Sequence, residues 1–112
     1  MIVVKVERQE SAVRAFDISG HAGFAEYGSD IVCSAVSGIS FGMINAVERL
    51  LGIHLEPDMQ NDGWLRCNIP RLADQTQDDK LQLLIEAMLV SLTSVAESYH
   101  DHVCIMDNCD NI

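Results

Sequence analysis

The segment Gly20-His21-Ala22-Gly23-Phe24-Ala25-Glu26-Tyr27-Gly28-Ser29-Asp30-Ile31-Val32-Cys33-Ser34-Ala35-Val36-Ser37 carries an imidazole and a thiol on either side of a glycine-punctuated loop. Those residue types are a nucleophile, Cys33, and a base able to take its proton, His21, and the chemistry they could do together is acyl transfer. Asp30 is a good helix N-cap, so Cys33 falls in the first helical turn. There, backbone N–H groups without helical partners and the positive end of the macrodipole favour a thiolate. The plain alternatives are a small buried hydrophobe at Cys33 and a surface or capped histidine at His21. The helix start, the polar loop and a histidine at a strand end together favour the reactive pair.

The neighbouring residues have supporting roles or simpler ones. Gly23 and Gly28 allow positive φ and movement of the loop, with Phe24 and Tyr27 between them as substrate or lid contacts; the simpler reading is a tight connection without gating. Asp30 is expected first as the cap, and a carboxylate beside the pair could also orient His21. Ser37 lies one turn after Cys33 on the same face, where its hydroxyl either meets the thiol or substrate, or bonds back to the Cys33 carbonyl. The helix start around Cys33 is the natural place for oxyanion-stabilising N–H groups. A competing chemistry is a metal site from His100, His102 and Cys104 at alternate positions, but this matches no zinc spacing, and no metal or cofactor is expected. Cys104 reads as a core residue of the last strand, Cys67 as structural, Cys109 as exposed in a polar tail, and His54 has no visible partner.

The elements that must position the pair follow from hydrophobic period. Residues 2–8 and 12–19 alternate as two strands of an antiparallel hairpin turning at Gln9-Glu10-Ser11. From Asp30 a helical period runs through Val36, Ile39, Met43 and Val47 to Leu51, and Gly52 stands where a C′ glycine stops a helix. Gly38 and Gly42 inside that helix each cost about 1 kcal/mol against Ala, and close approach by another backbone is the expected compensation. Residues 53–60 and 64–70 flank Asn61-Asp62-Gly63 as a second antiparallel pair. Leu81 to Tyr99 marks a second amphipathic helix, capped by Thr76 or Asp78, and residues 102–106 a closing strand. The expected fold is α+β, one layer of mixed or antiparallel sheet packed on two helices in the order β-β-α-β-β-α-β.

Composition bounds the rest. With 112 residues and 48% apolar side chains, the chain is expected to be a single domain, residues 1–112, with its own core. Lys5 interrupts the apolar run at residues 2–6, unlike a signal peptide, and Glu86 interrupts the run from Leu83 to Val90, well short of the roughly 20 residues that span a bilayer. Secretion and a membrane partner are therefore not expected. In the cytoplasm the four cysteines are expected to be reduced. Seven basic against seventeen acidic residues give a net charge of −10, which repels a phosphate backbone, and no basic patch offsets it, so no nucleic-acid contact is expected. A cationic partner would be attracted, unless the acidity serves solubility alone.

Gly20-His21-Ala22-Gly23, leading through Gly28 and Asp30 to Ile31-Val32-Cys33 and Ser37, closely resembles the signature of the ribosomal-processing cysteine protease family, Prp, and the likeness extends over the whole chain. The resemblance implies a cytoplasmic bacterial endopeptidase that removes a short N-terminal extension from the large-subunit ribosomal protein numbered twenty-seven. It makes His21 the general base and Cys33 the nucleophile, with a mobile loop from Ala22 to Ser29, a homodimeric state, and a basic ribosomal protein as peptide substrate. Two other readings stand beside it: a non-enzymatic ribosome-assembly or ribosome-associated binding factor in which Cys33 is structural, and a thiol redox sensor that pairs Cys33 with a resolving cysteine.

Overall fold

Ile2, Val4 and Val6 alternate with Val3, Lys5 and Glu7, and this period-two pattern gives strand β1 (Ile2–Gln9) one face for a core and one for solvent. β2 (Ala12–Ser19) pairs with it antiparallel, setting Val4 opposite Ile18 and Val6 opposite Phe16, so the apolar residues of both strands share a face. Glu10 and Ser11, with φ of 54° and 72°, form the turn between them. Paired positive φ values at a two-residue loop match the right-handed twist of the flanking strands. The computed structural model describes residues 1–21, 23, 25, 30–59 and 65–108.

Helix α1 (Ile31–Leu51) starts at the Asp30 cap and ends at Gly52, whose φ of 70° places it in the left-handed region with its N–H donating to the Glu48 carbonyl. After β3 (Leu65–Asn68), helix α2 (Gln75–Ser98) returns antiparallel to α1, since Gln77 Nε2 near its start donates to the Leu51 carbonyl at the end of α1 at 3.4 Å. This return leads the chain into β4 (Val103–Asn108) in the direction of β1, and the two pair in parallel from Ile2–Val103 to Glu7–Asn108. The result is a four-stranded mixed sheet in the order β3-β2-β1-β4, with both helices on one face. Between them lie Val4, Phe16, Val32, Val47, Leu81 and Ile85, essentially without solvent contact. Burying a side chain of this size contributes about 1.5–3 kcal/mol, so this layer holds the fold.

The α+β architecture is as expected, but the order is β-β-α-β-α-β. The additional strand expected over residues 53–60 is absent over its described part. Pro57 lacks an N–H to donate, Leu55 turns into the core, and among the described residues the only ladder contact is the Asp58–Arg66 bridge, with N–H to carbonyl distances of 2.7 and 2.9 Å. The Asn61-Asp62-Gly63 turn expected there lies outside the described residues. At α2 the cap is Asp74, accepting from Thr76 N at 3.0 Å, rather than Thr76 or Asp78. The Asp78 carboxylate instead reaches back to Leu72 N at 2.9 Å. Among the described residues no backbone approaches Gly38 or Gly42: a Cβ at either would meet nothing within 4 Å. Cys104 is half-buried and belongs to the face turned away from the helices, because the residue before it in the strand, Val103, takes the core position. Both helices are long and apolar enough, by length and composition, to cross a membrane. Here each gives its apolar stripe to the sheet.

Candidate active site

The end of the sheet where β2 stops is built by a close backbone approach. Ser19 is the last residue in register, opposite Val3, and the next residue, Gly20, has a φ of 86°. A Cβ on Gly20 would stand 2.2 Å from the Met1 carbonyl oxygen, so only glycine fits. On the other side of β1, Ile2 N donates to the His102 carbonyl at 2.8 Å. His21 therefore leaves β2 beside the start of β1, exposed to solvent. Gly23 follows with a φ of 68°, the left-handed conformation expected of it. Phe24, Tyr27 and Gly28 lie outside the described residues.

The chain then enters α1 at this same end. Asp30 is 5% exposed, and its Oδ1 accepts from Val32 N at 2.9 Å and Cys33 N at 3.0 Å, while its carbonyl accepts from Ser34 N at 3.1 Å. This is the full N-cap arrangement, worth about 1 kcal/mol. It also corrects one expectation: the Cys33 N–H serves the cap and is not presented to an oxyanion. Cys33 itself is half-buried and packs one side against the core, which fixes the direction of its side chain from the helix. Ser37, one turn on, is exposed, and its hydroxyl makes no hydrogen bond among the described residues, so the bond back to the Cys33 carbonyl is not formed.

His21, Asp30, Cys33 and Gly20 thus belong to one end of the molecule, where the start of a helix meets the end of a strand. Such a junction can present a thiol and an imidazole to a common carbonyl. Sequence reasoning did not bring two further pieces to this end: Met1, which is 56% exposed beside Gly20, and the Tyr99–His102 turn after α2. Both arrive through the parallel β1–β4 pairing, a contact of long sequence separation that no local motif announces.

The remaining cysteines and histidines lie elsewhere. Cys67 is fully buried in β3, and desolvation pushes its thiol up to about 11, the mark of a packing residue. Cys109 lies outside the described residues. His54 pairs through Nδ1 with Glu48, which raises its pKa above the ordinary 6.5. His100 is exposed in the turn and pairs with Asp101 at 3.2 Å. Among the described residues no group of three or more His, Cys, Asp and Glu side chains could hold a metal ion.

Residues 1–104 match the family model described as cysteine protease Prp. The ribosomal processing cysteine protease Prp of Bacillus subtilis is 36% identical over 110 residues, covering 96% of this chain and 98% of that protein. The crystal structure of the Staphylococcus aureus ribosomal processing protease Prp with a covalently linked product peptide is 32% identical and superposes with a TM-score of 0.80, covering 96% of this chain and all of that one. A second structure of the Staphylococcus aureus protease, with a substrate peptide, is 31% identical with a TM-score of 0.74 and covers 96% of this chain.

Proposed function

Given that the chain belongs to the cysteine protease Prp family, we propose that it is a ribosomal-processing endopeptidase that trims the N-terminal extension of large-subunit ribosomal protein twenty-seven through a Cys33–His21 dyad. The observation that carries this is the position of Cys33 in the first turn of α1, at the end of the sheet from which His21 emerges. The peptide-bound relatives support a peptide substrate, and the covalently linked product in one of them supports a covalent route.

The mechanism is acyl transfer. The Cys33 thiol proton passes to His21 as the Sγ–C bond forms at the scissile carbonyl, giving a tetrahedral oxyanion. Collapse breaks the C–N bond, and the leaving amine takes the proton from His21, which leaves a thioester on Cys33. Water, deprotonated by the same imidazole, attacks the thioester; the C–S bond breaks, and the new carboxylate and the thiol are released. Because the cap occupies the Val32 and Cys33 N–H groups, oxyanion stabilisation falls to other donors, and the segment between His21 and Asp30 is the substrate loop of this reading. Gly23, Phe24, Tyr27 and Gly28 belong to that segment, and Ser37 flanks the thiol one turn along α1.

The working form in this reading is a cytoplasmic homodimer with no nucleic-acid contact of its own. The net charge of −10 suits a basic protein substrate better than a phosphate backbone. The open α1 surface at Gly38 and Gly42 offers a face to a second copy. The test of the dyad is alkylation: iodoacetamide should modify Cys33 ahead of half-buried Cys104, and His21→Ala should slow that modification. Equal rates at the two cysteines, or no effect of His21→Ala, would contradict it.

A further inference from the structure

β4 is the outer strand of the sheet, and among the described residues nothing pairs with its free edge. A parallel ladder uses alternate backbone groups. Since the His102 carbonyl faces β1, the N–H and C=O groups of Ile105 and Asp107 face away from the sheet. Beside this edge a cleft of about 290 Å³ opens between β4 and α2, with Val90, Ser94 and Glu97 on the helix side and Asp107 on the strand side. At its far end Arg8 is held by Glu86 at 2.5 Å and Asp107 at 2.8 Å. The one guanidinium of the cleft is therefore already neutralised, and carboxylate is in surplus.

We propose that this cleft and the β4 edge dock a basic, extended segment of the protein substrate, outside the residues that are cut; this rests on the processing function above. An open edge supplies main-chain partners to an extended chain, and the carboxylates supply complementarity to Lys and Arg side chains. Glu86 and Glu97 are separated by about 16 Å along the helix, a span that about five extended residues cover. The Glu97 end lies nearest the Tyr99–His102 turn, which adjoins the start of β1 beside Gly20. The cleft thus runs toward the end of the molecule that carries His21 and Cys33. A second copy of a chain of charge −10 is repelled from this surface, whereas a basic partner is steered to it, more strongly at low salt.

Two measurements test this. In the first, a synthetic ten-residue Lys-rich peptide is titrated into isotopically labelled Cys33→Ala protein. Amide shifts are expected at Val90, Glu97, Ile105 and Asp107, and Glu97→Lys should weaken the affinity about fivefold, the effect of roughly 1 kcal/mol at a partly exposed charge. In the second, kcat/KM is measured for the extended ribosomal protein and for a short peptide spanning the cut. The ratio of the two should fall about fivefold in Glu97→Lys and in Ser94→Lys, with the loss fading as salt rises. Shifts confined to other faces, or an unchanged ratio in both variants, would overturn the proposal. Peptide docking at the cleft by a protein that cuts neither substrate would keep the cleft and overturn the processing function.

Discussion

The Asp30 carboxylate accepts from the backbone N–H of Cys33 at 3.0 Å, so the residue that starts α1 also fixes the backbone of the thiol-bearing turn. Stability and activity should therefore rise and fall together at this position. Asp30→Asn keeps an accepting oxygen and should retain both the melting temperature, within a few degrees, and the cleavage rate. Asp30→Ala should lose about 1–2 kcal/mol and lower turnover. If Asp30→Asn melts normally but cuts poorly, the negative charge serves His21 as well as the cap; an Asp30→Ala protein as stable as wild type would contradict the capping account.

Glycines at two positions should respond in opposite directions. At Gly20 an added Cβ would stand 2.2 Å from the Met1 carbonyl at a φ of 86°, so Gly20→Ala should destabilise by more than about 2 kcal/mol and displace His21. At Gly38, exposed inside α1 with nothing within 4 Å of an added Cβ, Gly38→Ala should stabilise the protomer by about 0.5–1 kcal/mol. Denaturant midpoints decide both, and a destabilised Gly38→Ala would mean that another surface packs against this helix.

The two arginine networks should differ in weight. Arg8, with a side chain only 11% exposed, ties β1 to α2 through Glu86, to β4 through Asp107 and to the hairpin turn through the Ser11 carbonyl. Removing it leaves two carboxylates facing each other, and Arg8→Met should cost about 2–3 kcal/mol. Arg66 bridges Glu7 and Asp17 across three strands, but Glu7 is 54% exposed, and Arg66→Met should cost less than about 1 kcal/mol. The hydrogen bond from Arg66 lowers the Glu7 pKa, so that small contribution is present above the ordinary carboxylate value of 4.5 and is lost as the pH falls through the lowered one. Urea unfolding of both variants at pH 7 would contradict this ranking if Arg66→Met proved the more damaging.

His54 should titrate above 6.5, because its hydrogen bond to Glu48 favours the imidazolium. A folded pKa raised in this way contributes stability that is fully present below 6.5 and disappears as the pH rises through the raised value. Proton NMR of the imidazole should show the midpoint moving down in Glu48→Gln. A midpoint unaffected by that change would contradict the pairing.

Local signals were enough for the hairpin and for both ends of α1. Alternation at Ile2, Val4 and Val6, the cap at Asp30 and the stop at Gly52 each act within a few residues, and the structure has all three. The expected strand at residues 53–60 failed because Pro57 and inward-turning Leu55 override a weak alternation. The α2 cap went to Asp74, since Asp78 found a competing partner in Leu72 N. The parallel pairing of β1 with β4 was not legible, because it joins residues about a hundred positions apart, and with it went the placement of Met1 and the Tyr99–His102 turn beside Gly20. Asp30 was read correctly as the cap, but how its carboxylate engages the Cys33 N–H is set by geometry that spacing does not encode.

Cleavage of an extended ribosomal protein by Cys33 is read by mass spectrometry of that protein after incubation with wild type and with Cys33→Ala. Wild type should remove the N-terminal extension and Cys33→Ala should leave the mass intact, both proteins giving the same circular dichroism spectrum. Trimming by the Cys33→Ala protein, or an intact substrate after incubation with folded wild type, would contradict it.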